Sequence, residues 1–259
     1  MGSRIVHHGV RRRRERRRRV LWSGGELLVT VGVVLLLLVV HQLWWTNREA
    51  REGAQRKVEA LERQWGQEEA GADSSTGSDT AGPSPSSSPS LAGRRTHATA
   101  PTTATESRDR SQAYAILTVP RLNLRVPVAE GVGKQVVLNK GYVGHYPGTQ
   151  QPGQAGNFAL AGHRNTHGEP FRYINRLAPK DTIRVETATA VYTYAVDRTL
   201  RQTSSRDSGV IRRIPRSTLH PSYGYATPGY FITLTTCTPE YTSRYRLVVW
   251  GKLVSMRPR

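Results

Sequence analysis

The sequence predicts a mostly β protein: a closed or nearly closed antiparallel barrel of seven to eight strands with short helices, preceded by one transmembrane helix. Three observations carry this. Residues 27–45 are 19 consecutive positions without a formal charge. Beyond about residue 112, seven short runs rich in Val, Ile, Tyr and Thr are separated by Pro and Gly. Only 37% of the 259 residues are hydrophobic, and many lie in the 27–45 run, so the soluble core is small.

The elements follow in chain order. Residues 1–26 are a basic segment with nine Arg and two Glu. The run at 27–45, LLVTVGVVLLLLVVHQLWW, is long enough at about 1.5 Å per residue to cross a bilayer. Trp44 and Trp45 close it as interfacial aromatics do, and His41 lies near that end. The Arg block before the run predicts a cytoplasmic N-terminus and an extracellular C-terminal part. Trp44-Trp45-Thr46 offers no small-x-small cleavage site, so the run is expected to be an uncleaved signal-anchor. Beside a spanning helix the Arg block reads as topology and anionic-lipid contact, not as a nucleic-acid site. Residues 46–110 divide in two. The charged stretch 46–70 extends the helix as a stalk. With only Val58 and Leu61 counted as apolar surface, it is expected to be solvated. From 71 to 110 the composition turns to Ser, Thr, Ala, Gly and Pro, a disordered spacer.

Residues 111–259 form the folded domain. Strands are expected at 113–119, 125–128, 157–161, 182–187, 190–198, 230–237 and 245–253, with short helices at 134–139 and 171–177. Residues 202–229 read as a long loop. This domain holds 20 Lys+Arg and 7 Asp+Glu, a net of +13 within the chain's +19. Either a solvated surface or a wall facing a polyanionic envelope accounts for that charge.

The single cysteine, Cys237, excludes an intramolecular disulfide, a CxxC redox pair and a cysteine-based zinc finger. A lone cysteine is commonly a small buried hydrophobe. Strand parity argues otherwise here. In Phe231-Ile-Thr-Leu-Thr-Thr-Cys237, Ile232 and Leu234 take the core face, and Cys237 falls opposite at the strand end. In Asn157-Phe-Ala-Leu-Ala-Gly-His163, Phe158 and Leu160 take the core face, and His163 falls opposite, again at the end. In Arg244-Tyr-Arg246-Leu-Val-Val, Tyr245, Leu247 and Val249 face the core while Arg244 and Arg246 do not. A hairpin from Cys237 to Tyr245 would bring Cys237 and Arg246 close. Nucleophile, proton shuttle and oxyanion or substrate clamp are what a cysteine transpeptidase needs. His163-Arg-Asn-Thr-His167 is an HxxxH spacing, but it lacks the Glu of HExxH and leaves a strand for a loop, so no metal is expected. His145 and His220, in Gly/Pro-rich loops, are expected at the surface or in a groove. There is no GxSxG elbow and no Cys-Gly-Ser-Cys signature.

These residues resemble a known family. Thr233-Leu-Thr-Thr-Cys237 is similar to the TLxTC signature of sortases, Ala161-Gly-His163-Arg164 to their histidine motif, and Arg246, nine residues after the cysteine, to their arginine position. Val119-Pro-Arg-Leu122, Val126-Pro-Val128 and Pro147-Gly-Thr149 add to the likeness, which covers about 113–253 and is greatest to class E sortases of high-GC actinobacteria. The resemblance implies a membrane-anchored transpeptidase that needs no cofactor. It would cleave an LAxTG- or LPxTG-like sorting signal between Thr and Gly through a thioacyl on Cys237. It would then join the surface protein to an amine of peptidoglycan or of its lipid-linked precursor. His163, as imidazolium, would protonate the leaving amine and Arg246 hold the oxyanion or peptide. Tyr146 matches a pocket tyrosine, and Thr236 is expected to bind substrate with it. The competing readings are an inactive membrane-tethered binding module and a metal-dependent envelope hydrolase.

Overall fold

The computed structural model describes residues 9–73 and 112–259. The spacer expected at 71–110 lies almost wholly outside them. The chain forms two units, one ending at Thr46 and one beginning at Asn47. Helix α1, Gly9–Asp73, contributes to both. In the first unit the large apolar side chains from Leu27 to Val40 are exposed. Thr30 donates its hydroxyl proton to the Glu26 carbonyl at 2.8 Å, which removes a bare donor from the apolar run. By length and composition this helix is able to cross a membrane.

The second unit holds a closed barrel. Its strands are β1 Ala113–Val119, β2 Leu124–Glu130, β3 Val143–His145, β4 Gly156–Ala161, β5 Thr182–Glu186, β6 Ala190–Ser204, β7 Tyr230–Thr238 and β8 Tyr245–Pro258. They close in the order β1-β2-β3-β4-β7-β8-β6-β5. The alternation read from sequence puts Phe158, Ile232, Leu234, Leu247 and Val249 inside, with Leu117, Val128, Ile183 and Tyr194 from the other strands. The expectation of an antiparallel barrel needs correction: β2 with β3 and β4 with β7 run parallel. Parallel neighbours need long crossovers, and between β4 and β7 the chain makes the long excursion through β5 and β6. The short helices are single 3-10 turns at Leu138–Lys140 and Ile174–Arg176, smaller than the expected spans.

The outer face of β7 and β8 is not bare. Phe231, Val248 and Trp250 pack there with Leu200, Val210 and Tyr225 in a second cluster. The segment read as one loop from residue 202 is therefore partly ordered structure. β6 extends to Ser204, a 3-10 turn spans Ser208–Ile211, and the Trp250 indole donates to the Val210 carbonyl at 3.1 Å. Asp207 ties this segment together. Its carboxylate accepts from Thr203 and Ser217 hydroxyls and from both the amide and hydroxyl of Thr218. Burial raises its pKa, but those donors outweigh it and hold the carboxyl below its ordinary value. Asp207→Asn removes one acceptor oxygen and strands donors, so a loss of about 1–3 kcal/mol is expected in denaturant unfolding. The wild-type contribution is present above the unfolded carboxyl value and is lost as pH falls through the lower folded value. A variant that unfolds like wild type at pH 7 would show that the carboxylate does not fasten the segment.

Two further expectations are corrected. The 47–65 part of α1 is not solvated. Ala50, Ala54, Val58, Leu61 and Trp65 are buried, the last three packing with Ala113, Ile116, Ala129, Val137 and Leu138. Spacings of 4, 4, 3 and 4 residues place these five on one helix stripe, and the two alanines allow close approach. Glu62 adds an ion pair to Arg125. His145 is not a surface residue: it sits on β3, 1% exposed, edge-on to Phe158 at 4.8 Å. Its Nδ1 lies 2.7 Å from Glu130 and 2.9 Å from the Tyr114 hydroxyl, and its Nε2 2.9 Å from Thr149 Oγ1, so its buried nitrogens are satisfied.

Candidate active site

The register of three neighbouring strands brings the three candidate residues to one edge of the barrel. β4 and β7 pair in parallel with Ala161 opposite Thr235, so two steps on His163 and Cys237 emerge at matching positions. β7 and β8 pair antiparallel with Cys237 directly opposite Arg246. All three side chains are half-buried, and Cys237 is a free thiol.

The backbone ahead of His163 is fastened on both sides. The Gly162 amide donates to Thr235 O at 3.1 Å, and the Thr236 hydroxyl donates to Gly162 O at 2.8 Å. A Cβ at Gly162 would come within 2.7 Å of the Phe171 ring, so only glycine admits that ring. Thr236 is thus buried on the core face, with its hydroxyl committed to β4. Tyr146 is half-buried, its hydroxyl 3.1 Å from Thr235 Oγ1 on the cysteine side of β7.

His163 Nε2 lies 2.9 Å from Asn139 Oδ1, and its ring stacks on His167 with centroids 5.3 Å apart. Burial lowers the His163 pKa to about 4, assisted by His167, itself held low by burial, and by the Lys134 ammonium. Arg164, 7% exposed, donates from Nη1 to Cys237 O at 3.1 Å and to the Thr238 hydroxyl at 2.9 Å, with Glu240 at 3.7 Å. Arg246 Nη1 donates to Ser243 O at 2.9 Å and Tyr245 O at 3.0 Å, which seats the guanidinium on the β7–β8 connection. Arg244 lies outside the strand and is exposed. Asn139 and the structural work of Arg164 were not read from the sequence, because both act across large separations. The Ala-Gly-His-Arg motif was the one available signal for Arg164. Among the described residues no group of three or more His, Cys, Asp or Glu is placed to hold a metal ion.

A closed barrel carrying Cys, His and Arg on adjoining strand ends defines a narrow class of folds, and the comparisons name it. Residues 117–254 match the sortase domain. The chain is 41% identical over 224 residues to Sortase SrtE1 of Streptomyces coelicolor, covering 85% of this chain and 53% of that protein. It is 34% identical over 219 residues to Sortase SrtE2 of the same organism, covering 83% of this chain and 74% of that one. Among solved structures, Sortase E1 of Streptomyces coelicolor superposes with a TM-score of 0.54 at 49% identity over 57% of this chain and 92% of that chain. Sortase E of Streptomyces avermitilis gives 0.51 at 38% identity over 57% and 91%. The chain belongs to the sortase family, and its similarities lie with class E. It spans about half the length of SrtE1 and about three quarters of SrtE2.

Proposed function

We propose that this protein is a membrane-anchored cysteine transpeptidase. The observation that carries the reading is the strand register that sets His163, Cys237 and Arg246 side by side. The Cys237 sulfur attacks the Thr–Gly carbonyl carbon of a sorting signal. The carbonyl π electrons move to oxygen, where Arg246 offsets the charge. The intermediate collapses with cleavage of the C–N bond, and His163 delivers a proton to the glycine amine. An acceptor amine of peptidoglycan or its lipid-linked precursor then attacks the thioacyl carbon, His163 takes the proton the amine sheds, and the C–S bond breaks to return the Cys237 sulfur, which recovers that proton.

The low His163 pKa argues against a standing imidazolium at neutral pH. A neutral His163 takes the thiol proton as the sulfur attacks and passes it to the leaving amine. Base function is then lost as pH falls through about 4, well below the usual imidazole value near 6.5. His163→Ala is expected to remove turnover, while His167→Ala retains it and moves the acid limb of kcat/KM upward, because the facing His167, which lowers the His163 value, is gone. Equal losses in the two variants, or an acid limb at 6.5 in wild type, would reject this assignment.

Sortase E1 of Streptomyces coelicolor was solved with a tripeptide in its active site. This supports placing the peptide over the cysteine side of β7, where Tyr146 reaches Thr235. LAxTG is the motif proposed for this class, with LPxTG as the competitor. Thr236 contributes by fastening the backbone before His163 instead of by touching substrate with its hydroxyl. Residues 27–45 are the proposed anchor, with residues 1–26 cytoplasmic, 71–110 the spacer and 111–259 the extracellular catalytic domain. Incubating the protein with LAxTG and LPxTG peptides and measuring intact mass tests the reading. A thioacyl adduct on Cys237 is expected. No adduct with either peptide, with the thiol still reactive, would leave a binding module.

A further inference from the structure

The helix segment that follows the apolar run grips the loop that follows His163. This loop leaves His163 and returns at Phe171, whose amide donates to His163 O at 3.0 Å. At its tip, three successive residues have left-handed backbone: His167 at φ 51°, Gly168 at 83° and Glu169 at 53°. For the two non-glycine residues this costs on the order of 1 kcal/mol each, and such a run persists only where its surroundings over-determine it.

Those surroundings are α1. Asn47 Oδ1 accepts from the Gly168 amide at 3.3 Å, and Arg51 Nε donates to Gly168 O at 3.1 Å. Glu169, 7% exposed, accepts from Asn47 Nδ2 and Arg51 Nη2, each at 3.0 Å, and from Arg172 at 2.7 Å. Arg172 in turn lies 4.0 Å from Glu240, the carboxylate beside Arg164, whose guanidinium holds Cys237 O. The same helix buttresses the other side of the histidine. Ala50 lies against Gly141, where an added Cβ would meet the Ala50 carbonyl oxygen at 2.7 Å. Val58, Leu61 and Trp65 pack with Val137 and Leu138, the two residues ahead of Asn139.

We propose that the segment of α1 from Asn47 to Trp65 is part of the catalytic apparatus: Asn47 and Arg51 hold the strained 167–169 turn through Glu169, and so position His163 against Cys237. Glu169 and Arg51 are positioning residues, since neither touches the reacting atoms. The inference rests on the transpeptidase reading, and its test separates the two.

Full-length protein in detergent or lipid nanodiscs is compared as wild type, Arg51→Ala, Arg51→Lys, Glu169→Gln and Arg56→Ala. Arg56 lies on the exposed side of the same helix and serves as the control. Peptide cleavage gives kcat and KM. NMR of labelled histidine gives the titration midpoint of His163, whose facing groups are His167 and Lys134. Arg51→Ala and Glu169→Gln are expected to lower kcat about tenfold with KM nearly unchanged, since loosening the turn shifts His163 by a fraction of the roughly 1 Å misplacement that costs about a hundredfold. Their His163 midpoint should rise toward that of an open imidazole as the loop loosens. Arg51→Lys should recover part of kcat, because an ammonium still pairs with Glu169 but does not also hold Gly168 O as the guanidinium does, and Arg56→Ala should match wild type. Wild-type values of kcat, KM and His163 midpoint in Arg51→Ala would overturn the inference. If wild type cleaves no peptide, the function proposal fails. A raised midpoint in Arg51→Ala but not Arg56→Ala then still upholds the positioning.

Discussion

Cys237→Ala protein is expected to fold, to keep its barrel, and to form no thioacyl adduct. The reasoning separates the thiol from the backbone that carries it. The backbone of residue 237 is held by its pairing with Arg246 and by the Arg164 guanidinium on its carbonyl, and neither needs the sulfur. The side chain is half-buried at a strand end, away from the interior formed by Ile232 and Leu234. Removing one sulfur there should cost no more than about 1 kcal/mol, the scale of one buried methylene. Turnover should fall by at least about four orders of magnitude, because no other group replaces a deleted nucleophile. Unfolding curves that overlay with wild type, together with loss of peptide cleavage, are the expected pair of results. Cleavage retained in the alanine variant would sink the covalent mechanism. A variant that fails to fold would show that the thiol is core.

Strand parity was enough to place His163, Cys237 and Arg246 off the core face because β4, β7 and β8 are regular and well patterned. Their apolar residues fix one face, so the reactive residues at their ends follow. The interior of the barrel was legible for the same reason. β3 was not: three residues, Val143-Gly-His145, between a glycine turn and Pro147-Gly148, carry no periodicity. Losing β3 also hid its parallel pairing with β2 and misplaced His145, which is buried because β3 lies between β2 and β4. The outer cluster under residues 205–229 was hidden because Val248 and Trp250 interrupt a face that Arg246 and Lys252 mark as polar.

The helix stripe is present in the sequence, but two of its five members are alanines. Counting only Val58 and Leu61 ignores Ala50, Ala54 and Trp65, and small residues matter where backbone approaches backbone, as Ala50 does at Gly141. Apart from the motif that contains Arg164, the supporting groups of the site carry no local signal. Asn139 reaches His163 across 24 positions, Arg164 reaches Cys237 across 73, and Arg51 reaches Glu169 across 118. Such pairs are created by topology, and no periodicity within one element announces them.

Arg246 and Arg244 offer the second large effect, because sequence pattern alone does not choose between them. Sequence parity alone puts both on the non-core face. Arg246 is paired with Cys237 in the ladder, and its neighbour Leu247 is locked in the interior. Its guanidinium is steadied by two carbonyls, Ser243 and Tyr245, both bound through Nη1. Arg244 is exposed, outside the strand, and lies 5.2 Å from the Tyr245 ring centre. An oxyanion or peptide clamp must be in place before charge develops, and only Arg246 is preorganised. Lysine carries the charge but lacks the planar fork, so it is unable both to hold the two carbonyls and to present a second nitrogen to the substrate. Arg246→Lys is therefore expected to lose about a hundredfold in kcat, the scale of removing one oxyanion donor. Arg244→Lys should remain within about twofold of wild type, as surface substitutions away from a site do. Equal rates for the two variants, or a slower Arg244→Lys, would move the clamp role away from Arg246. Arg164 is not its natural heir, because its guanidinium is already committed to Cys237 O and Thr238.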